Sequence, residues 1–115
     1  MQYEGKVWGS TSKLFNKNNV QVNRLVCLAG GRSSMHTHRS KLSMFFVECG
    51  KIAVVVQKND YKLSDRTELT AGQSTIVKPD EYHYFEAIEP SVVYEVYWTE
   101  LDENDIVRKN CGRIR

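Results

Sequence analysis

The chain has 115 residues, enough for one domain over 1–115 and too few for a two-domain nucleotide-dependent enzyme or a large α/β barrel. Apolar residues make 41% and charged residues 26%, a globular balance that excludes an intrinsically disordered chain. Sixteen Lys and Arg against fourteen Asp and Glu leave a net charge of +2, too little for a dedicated nucleic-acid binder.

In chain order, Met1–Lys6 has no apolar signal segment, so a cytoplasmic location is expected. Val20–Leu28 begins with apolar/polar alternation and ends at Gly30-Gly31, where a turn is easy. Ser43–Cys49 is aromatic and β-branched, and Gly50-Lys51 turns it into Ile52–Gln57, the strongest strand pattern in the chain. Asn59-Asp60 marks a turn before a short strand at Tyr61–Leu63. Ala71-Gly72 leads into Ser74–Val77, Pro79-Asp80 into Tyr82–Ile88, and Glu89-Pro90 into a last strand, Ser91–Thr99. Helical periodicity is absent until the acidic stretch Glu100–Lys109. Turns recurring about every ten residues predict an all-β sandwich or barrel.

The longest aliphatic run, Ile52–Val56, is far short of the roughly 20 residues of a membrane helix, so no membrane partner is expected. That run is apolar on both faces, which predicts cover on both sides. A homodimer is the expected cover for the outer face. Residues 1–41 carry seven basic side chains against Glu4 alone, whereas 79–115 carry nine acidic and four basic. Neighbouring N- and C-terminal strands would pair these charges; alternatively Arg32, Arg39 and Lys41 form a basic rim for an anionic small molecule. Cys27, Cys49 and Cys111 are odd in number and lack CxxC spacing, which predicts free thiols, with Cys27 and Cys49 in or near the core.

The chemistry rests on His36, His38 and His83. One intervening residue puts His36 and His38 on the same face of an extended strand, where both imidazoles can hold one ion. His83, at the start of another strand, is the candidate third ligand, leaving open positions for water or substrate. Zinc, iron, nickel and manganese all remain candidates for such a divalent transition metal.

The spacing around these histidines resembles the two signature motifs of the cupin superfamily. The first, G-x5-H-x-H-x3,4-E-x6-G, is matched over about 30–50 by Gly30, His36, His38 and Gly50. The second, G-x5-P-x-G-x2-H-x3-N, is matched over about 72–87 by Gly72 and His83. Ser43 stands in the glutamate slot, Lys78 and Asp80 in the proline and glycine slots, with Pro79 displaced by one, and Ala87 in the asparagine slot. The resemblance implies a cupin β-barrel of jelly-roll type and a three-His metal site. Glu48 and Glu81 could replace the missing carboxylate only through a register slip.

Lys6-Val7-Trp8-Gly9-Ser10, His36-Thr37-His38-Arg39-Ser40, Asp105-Ile106-Val107-Arg108 and, in part, Asn110-Cys111-Gly112-Arg113 look like the type II mannose-6-phosphate isomerase domain found fused to mannose-1-phosphate guanylyltransferase. That resemblance implies aldose–ketose isomerisation of a sugar phosphate. A metal would polarise the carbonyl, and Arg39, with Lys41 and Arg108 behind it, would hold the phosphate. The base is not identified; Glu81, Glu86 and Glu95 are candidates by type. Tyr82, Tyr84, Phe85 and Trp98 offer stacking surface for a ligand, and Phe85 should share the inward face of His83 while Tyr84 points away. A non-enzymatic small-molecule or carbohydrate-binding module and a three-His iron dioxygenase stay open as alternatives.

Overall fold

The computed structural model describes residues 2–57 and 63–99. They form nine strands and, among the described residues, no helix, so none is long and apolar enough to cross a membrane. In chain order these are β1 (Gln2–Lys6), β2 (Gly9–Lys17), β3 (Val20–Cys27), β4 (Leu42–Cys49), β5 (Lys51–Gln57), β6 (Ser64–Thr70), β7 (Ser74–Val77), β8 (His83–Ala87) and β9 (Ser91–Trp98). Two antiparallel sheets face each other. One has the order β1-β2-β3-β9-β4-β7 and the other β6-β5-β8.

From β4 onward the chain repeatedly changes sheet, which is the all-β arrangement the turn spacing predicts. The β4–β5 crossing is made at Gly50 alone, with φ +91°. A Cβ there would meet the Pro90 carbonyl and the Ser91 side chain far inside van der Waals contact, so only glycine turns this corner. Ser91 Oγ locks the same corner by accepting from Lys51 N–H at 3.0 Å.

Six predicted strands correspond to β3, β4, β5, β7, β8 and β9. The strand expected at Tyr61–Leu63 is replaced by β6, Ser64–Thr70; Tyr61 itself lies outside the described residues. β1 and β2 were not expected. β1 is exposed along its whole length and β6 buries only Leu69. Backbone pairing at sheet edges holds such strands, and they leave little hydrophobic pattern to read. The helical stretch expected at Glu100–Lys109, and Cys111, lie outside the described residues.

The interior is layered by register. Cys27 stands opposite Ser91, and Leu25 and Val47 flank Val93. Asn23 and Phe45 then flank Glu95, and Gln21 and Ser43 flank Tyr97. On the facing sheet Ile52 pairs Ala87, Val54 pairs Phe85 and Val56 pairs His83. The apolar layers are the core, with Leu25, Phe45, Val47, Ile52, Val54 and Val93 at 2% exposure or less. The interior therefore changes from apolar to polar along the strands.

β5 is buried on both faces within a single chain, Ala53 and Val55 included. Its outward cross-strand neighbours are Arg66, Glu68, Tyr84 and Glu86. Arg66 pairs Glu86 at 2.9 Å and Glu68 at 3.6 Å, and Lys51 pairs Glu68 at 3.6 Å. The long side chains of this charged lattice shelter the strand, so β5 does not require the partner chain expected from its apolar pattern. Exposed apolar side chains lie instead on the outer face of the six-stranded sheet, at Val26, Phe46 and Ile76. Cys27 is buried as expected; Cys49 is exposed, a correction that follows from the register shift between Val47 and Cys49.

Candidate metal centre

His36 and His38 are not on a regular strand. They lie on a segment sewn along β8. Gly30 N–H donates to the Ala87 carbonyl (2.8 Å), Ser33 N–H to that of Phe85 (3.0 Å) and His36 N–H to that of His83 (3.0 Å). In return His83 N–H donates to the His36 carbonyl at 2.8 Å. The segment thus acts as an added edge to the three-stranded sheet and fixes His36 directly beside His83. Asp80, at φ +66°, donates its N–H to the His38 carbonyl at 2.7 Å, tying the second histidine to the turn before β8. Aspartate tolerates this left-handed conformation better than most residues.

The three rings converge. Centroids of His36 and His83 are 4.5 Å apart, those of His36 and His38 5.2 Å, and those of His38 and His83 5.8 Å. One ring nitrogen from each lies within 4.8 Å of the others. Nitrogens sharing an ion at roughly 2.0–2.1 Å stand at most about 4.2 Å apart, a closure within reach of small ring rotations.

Their hydrogen bonds set the tautomers. His36 Nδ1 lies 2.8 Å from the Ser34 carbonyl, and His83 Nδ1 3.0 Å from that of Glu81. A carbonyl only accepts, so each Nδ1 carries the proton and each Nε2 keeps its lone pair. The Nε2 atoms of His38 and His83 are buried without any hydrogen-bond partner. Burial lowers the pKa of both His38 and His83, and the neighbouring His36 lowers each further; for His83 the Glu81 carbonyl opposes the shift. Two imidazoles that burial holds toward the neutral form, with bare Nε2 atoms converging on the His36 ring, are a donor set that fits a divalent transition metal.

Among the described residues no carboxylate joins this cluster. Ser43, in the glutamate slot, is 1% exposed on β4. Glu48 points outward, accepting from Tyr94 Oη at 3.0 Å, with Arg24 at 3.9 Å. Glu81 accepts from Lys78 N–H at 2.9 Å. Neither replaces the missing ligand.

His36 lines a cavity of about 590 Å³ whose walls include Trp8, Lys13, Asn23, Arg32, Phe85, Glu95 and Tyr97, a volume within the usual range of small-molecule sites. Phe85 is there as expected, 2% exposed and inward like His83, with Tyr84 facing away. Its ring meets Trp8 edge-on at 5.0 Å. Arg39 is exposed and lies outside this lining, as does Lys41. Lys41 Nζ sits 5.3 Å from the Tyr97 ring and borders a second cavity of about 160 Å³. Of the basic rim, Arg32 alone is among the residues lining the large cavity, while its guanidinium lies 3.9 Å over the ring of the outward-facing Tyr84. Arg108 lies outside the described residues.

The sequence reading missed the wall supplied by β1 and β2, which brings Gln2, Glu4, Lys6 and Lys13 to the cavity. It also left Asn23 and Tyr97 unassigned, and Glu95 a candidate by type only. Alternation along Ser91, Val93, Glu95 and Tyr97 carries the signal for two of these, because it places both on the inward face of β9.

Residues 24–99 match the sequence profile of the family described as "Cupin domain". The chain belongs to the cupin family. Solved structures agree on the fold. KdgF from Halomonas sp. superposes with a TM-score of 0.74 at 14% identity, covering 90% of this cupin and 92% of that chain. An RmlC-like cupin from Shewanella frigidimarina gives 0.68 at 19% identity, covering 90% and 86%. A variant of oxalate decarboxylase from Bacillus subtilis gives 0.74 at 12% identity, covering 85% of this cupin but 27% of that chain. No curated protein matches the cupin by sequence.

Proposed function

We propose that this cupin is a metal-dependent protein acting on a small anionic carbohydrate, with isomerisation of a sugar phosphate of the mannose-6-phosphate type as its reaction. The observation that carries the reading is the pair of buried, unpartnered Nε2 atoms of His38 and His83, converging with His36 beside a cavity that Lys13 and Arg32 also line. The short matches at Lys6–Ser10 and His36–Ser40 point toward the isomerase; those at Asp105–Arg108 and Asn110–Arg113 lie outside the described residues.

His36, His38 and His83 would hold the ion. When bound, a divalent metal supplies Lewis-acid polarisation of a substrate carbonyl. The remaining parts belong to the chain. Holding the anionic end falls to Lys13, which lines the cavity, in place of Arg39 and Lys41. Trp8 and Phe85 form an apolar wall that limits water around the reacting carbons. The hydrogen bonds from His36 to Ser34 and from His83 to Glu81 keep the donor nitrogens aimed inward.

A second reading, a binding module without turnover, is favoured by Ser43 in place of a ligand carboxylate. The experiment is reconstitution with zinc, iron, nickel or manganese, followed by assay of mannose 6-phosphate and fructose 6-phosphate interconversion. Turnover lost in His38→Ala is the expected result. Ligand binding without turnover by any metal form assigns the cupin to the second reading.

A further inference from the structure

Glu95 is the one described acidic residue that is buried, at 7% exposure, and it lines the same cavity as His36. Its register on β9 places it opposite Asn23 on β3 and Phe45 on β4, all three facing inward. Asn23 Nδ2 donates to Glu95 Oε1 at 3.1 Å, and Gln21 Nε2 donates to Asn23 Oδ1 at 3.2 Å. Tyr97 follows Glu95 on the same inward face of β9, and its ring stands 4.9 Å from that of His38. Among the described residues no cation pairs with Glu95, although Lys13 stands opposite Asn23 across β2 and β3 and lines the cavity too.

A buried carboxylate without a cation is costly, and a fold that needed only a core would place an apolar residue there. The neutral Asn23 amide occupies part of its acceptor capacity and leaves lone pairs free toward the cavity. Glu81 and Glu86 have other work: Glu81 accepts from Lys78 N–H, and Glu86 pairs Arg66 on the outer face.

We infer that Glu95, held by Asn23, is the ligand-contacting carboxylate of this cavity, and that its ligand is a polyhydroxylated anion. Glu95 accepts a ligand hydroxyl, while Lys13, in register with the inward Asn23, faces the phosphate or carboxylate end. The inference deepens the isomerase reading and, in its catalytic half, rests on it. There, Glu95 takes the proton from the carbon next to the aldehyde. The electron pair of that C–H bond forms a C–C double bond, and the carbonyl π pair moves onto oxygen. A proton passes between the two oxygens, and Glu95 returns its own to the former carbonyl carbon, giving the ketose with no oxidant or reductant consumed.

The test compares the unaltered protein with Glu95→Gln and, as a control on the outer face, Glu86→Gln, with the melting temperature of each recorded. Calorimetry measures zinc affinity, and then the affinity for 6-phosphogluconate with and without zinc. Proton NMR in D2O follows deuterium incorporation at carbon 2 of mannose 6-phosphate. Glu95→Gln is expected to keep zinc affinity within about twofold, weaken 6-phosphogluconate binding tenfold or more, and lose deuterium incorporation at least 100-fold. Glu86→Gln is expected to match the unaltered protein. Binding weakened by Glu95→Gln without deuterium incorporation by any form sinks the isomerase reading and supports the contact. Unchanged binding in Glu95→Gln overturns the inference, as does failure of the unaltered protein to bind 6-phosphogluconate.

Discussion

The two ends of the interior have opposite chemistry on the same strands. Near the Gly50 corner, Leu25, Val47, Ile52, Ala87 and Val93 fill the space between the sheets, and the buried Ser91 hydroxyl is satisfied by backbone groups of Lys51 and Glu89. Two to four residues further along β3, β4, β8 and β9, the inward positions become Asn23, Ser43, His83, Glu95 and Tyr97. Because side chains alternate, each strand contributes to both ends from one face. The apolar end supplies the free energy of folding, and the polar end spends part of it to keep unpaired nitrogens and a carboxylate out of water. Stability and chemistry are therefore separable by position, and mutations should sort accordingly.

The largest effect belongs to the apolar end. Leu25→Ala is expected to destabilise by about 2–5 kcal/mol, the range for a buried leucine truncated in a packed core, read as a lower urea midpoint. The variant that remains folded should still bind metal with the original stoichiometry. At the polar end, zinc at 100 times its dissociation constant should stabilise the unaltered protein by about 2.7 kcal/mol, seen as a rise in melting temperature. The same zinc should leave His83→Ala unmoved.

A smaller effect appears with pH in the metal-free protein. Burial holds His38 and His83 below the ordinary value of 6.5, so the unfolded chain binds more protons than the folded one just below that pH. Their contribution is fully present above pH 6.5 and is lost as pH falls through the depressed folded values. Urea midpoints measured downward from pH 7 should fall in that window, and replacing both histidines should flatten the slope. Smallest is the contrast between the two described thiols. Burial first, then the Glu95 charge, push Cys27 to about 12, whereas Cys49 is exposed. Iodoacetamide followed by peptide mapping should label Cys49 in the native protein and Cys27 only after unfolding.

The separation also explains what the sequence made legible. Strands with a buried face advertise themselves: Val20–Cys27, Ile52–Gln57 and Ser91–Trp98 alternate or run apolar because the core demands it. β1 and β6 are sheet edges held by backbone pairing, β2 between β1 and β3 buries no side chain fully, and residues such as Gln2–Lys6 carry no periodic signal of it. The histidines were legible because few other patterns place His36, His38 and His83 at such intervals. Lys13, Asn23 and Tyr97 join the site through cross-strand register, which spacing along the chain does not encode. Arg39 follows a metal-ligand candidate directly in sequence yet lies off the large cavity, because being next in the chain does not fix where a side chain projects.

The most direct measurement is metal content after reconstitution with excess zinc and desalting, on the unaltered protein and on His36→Ala, His38→Ala and His83→Ala. One zinc per chain is expected, with stoichiometry near zero in each single variant while circular dichroism retains the β signature. A folded, unaltered protein that holds no zinc, iron, nickel or manganese, or three variants that keep the metal, would contradict the three-histidine centre.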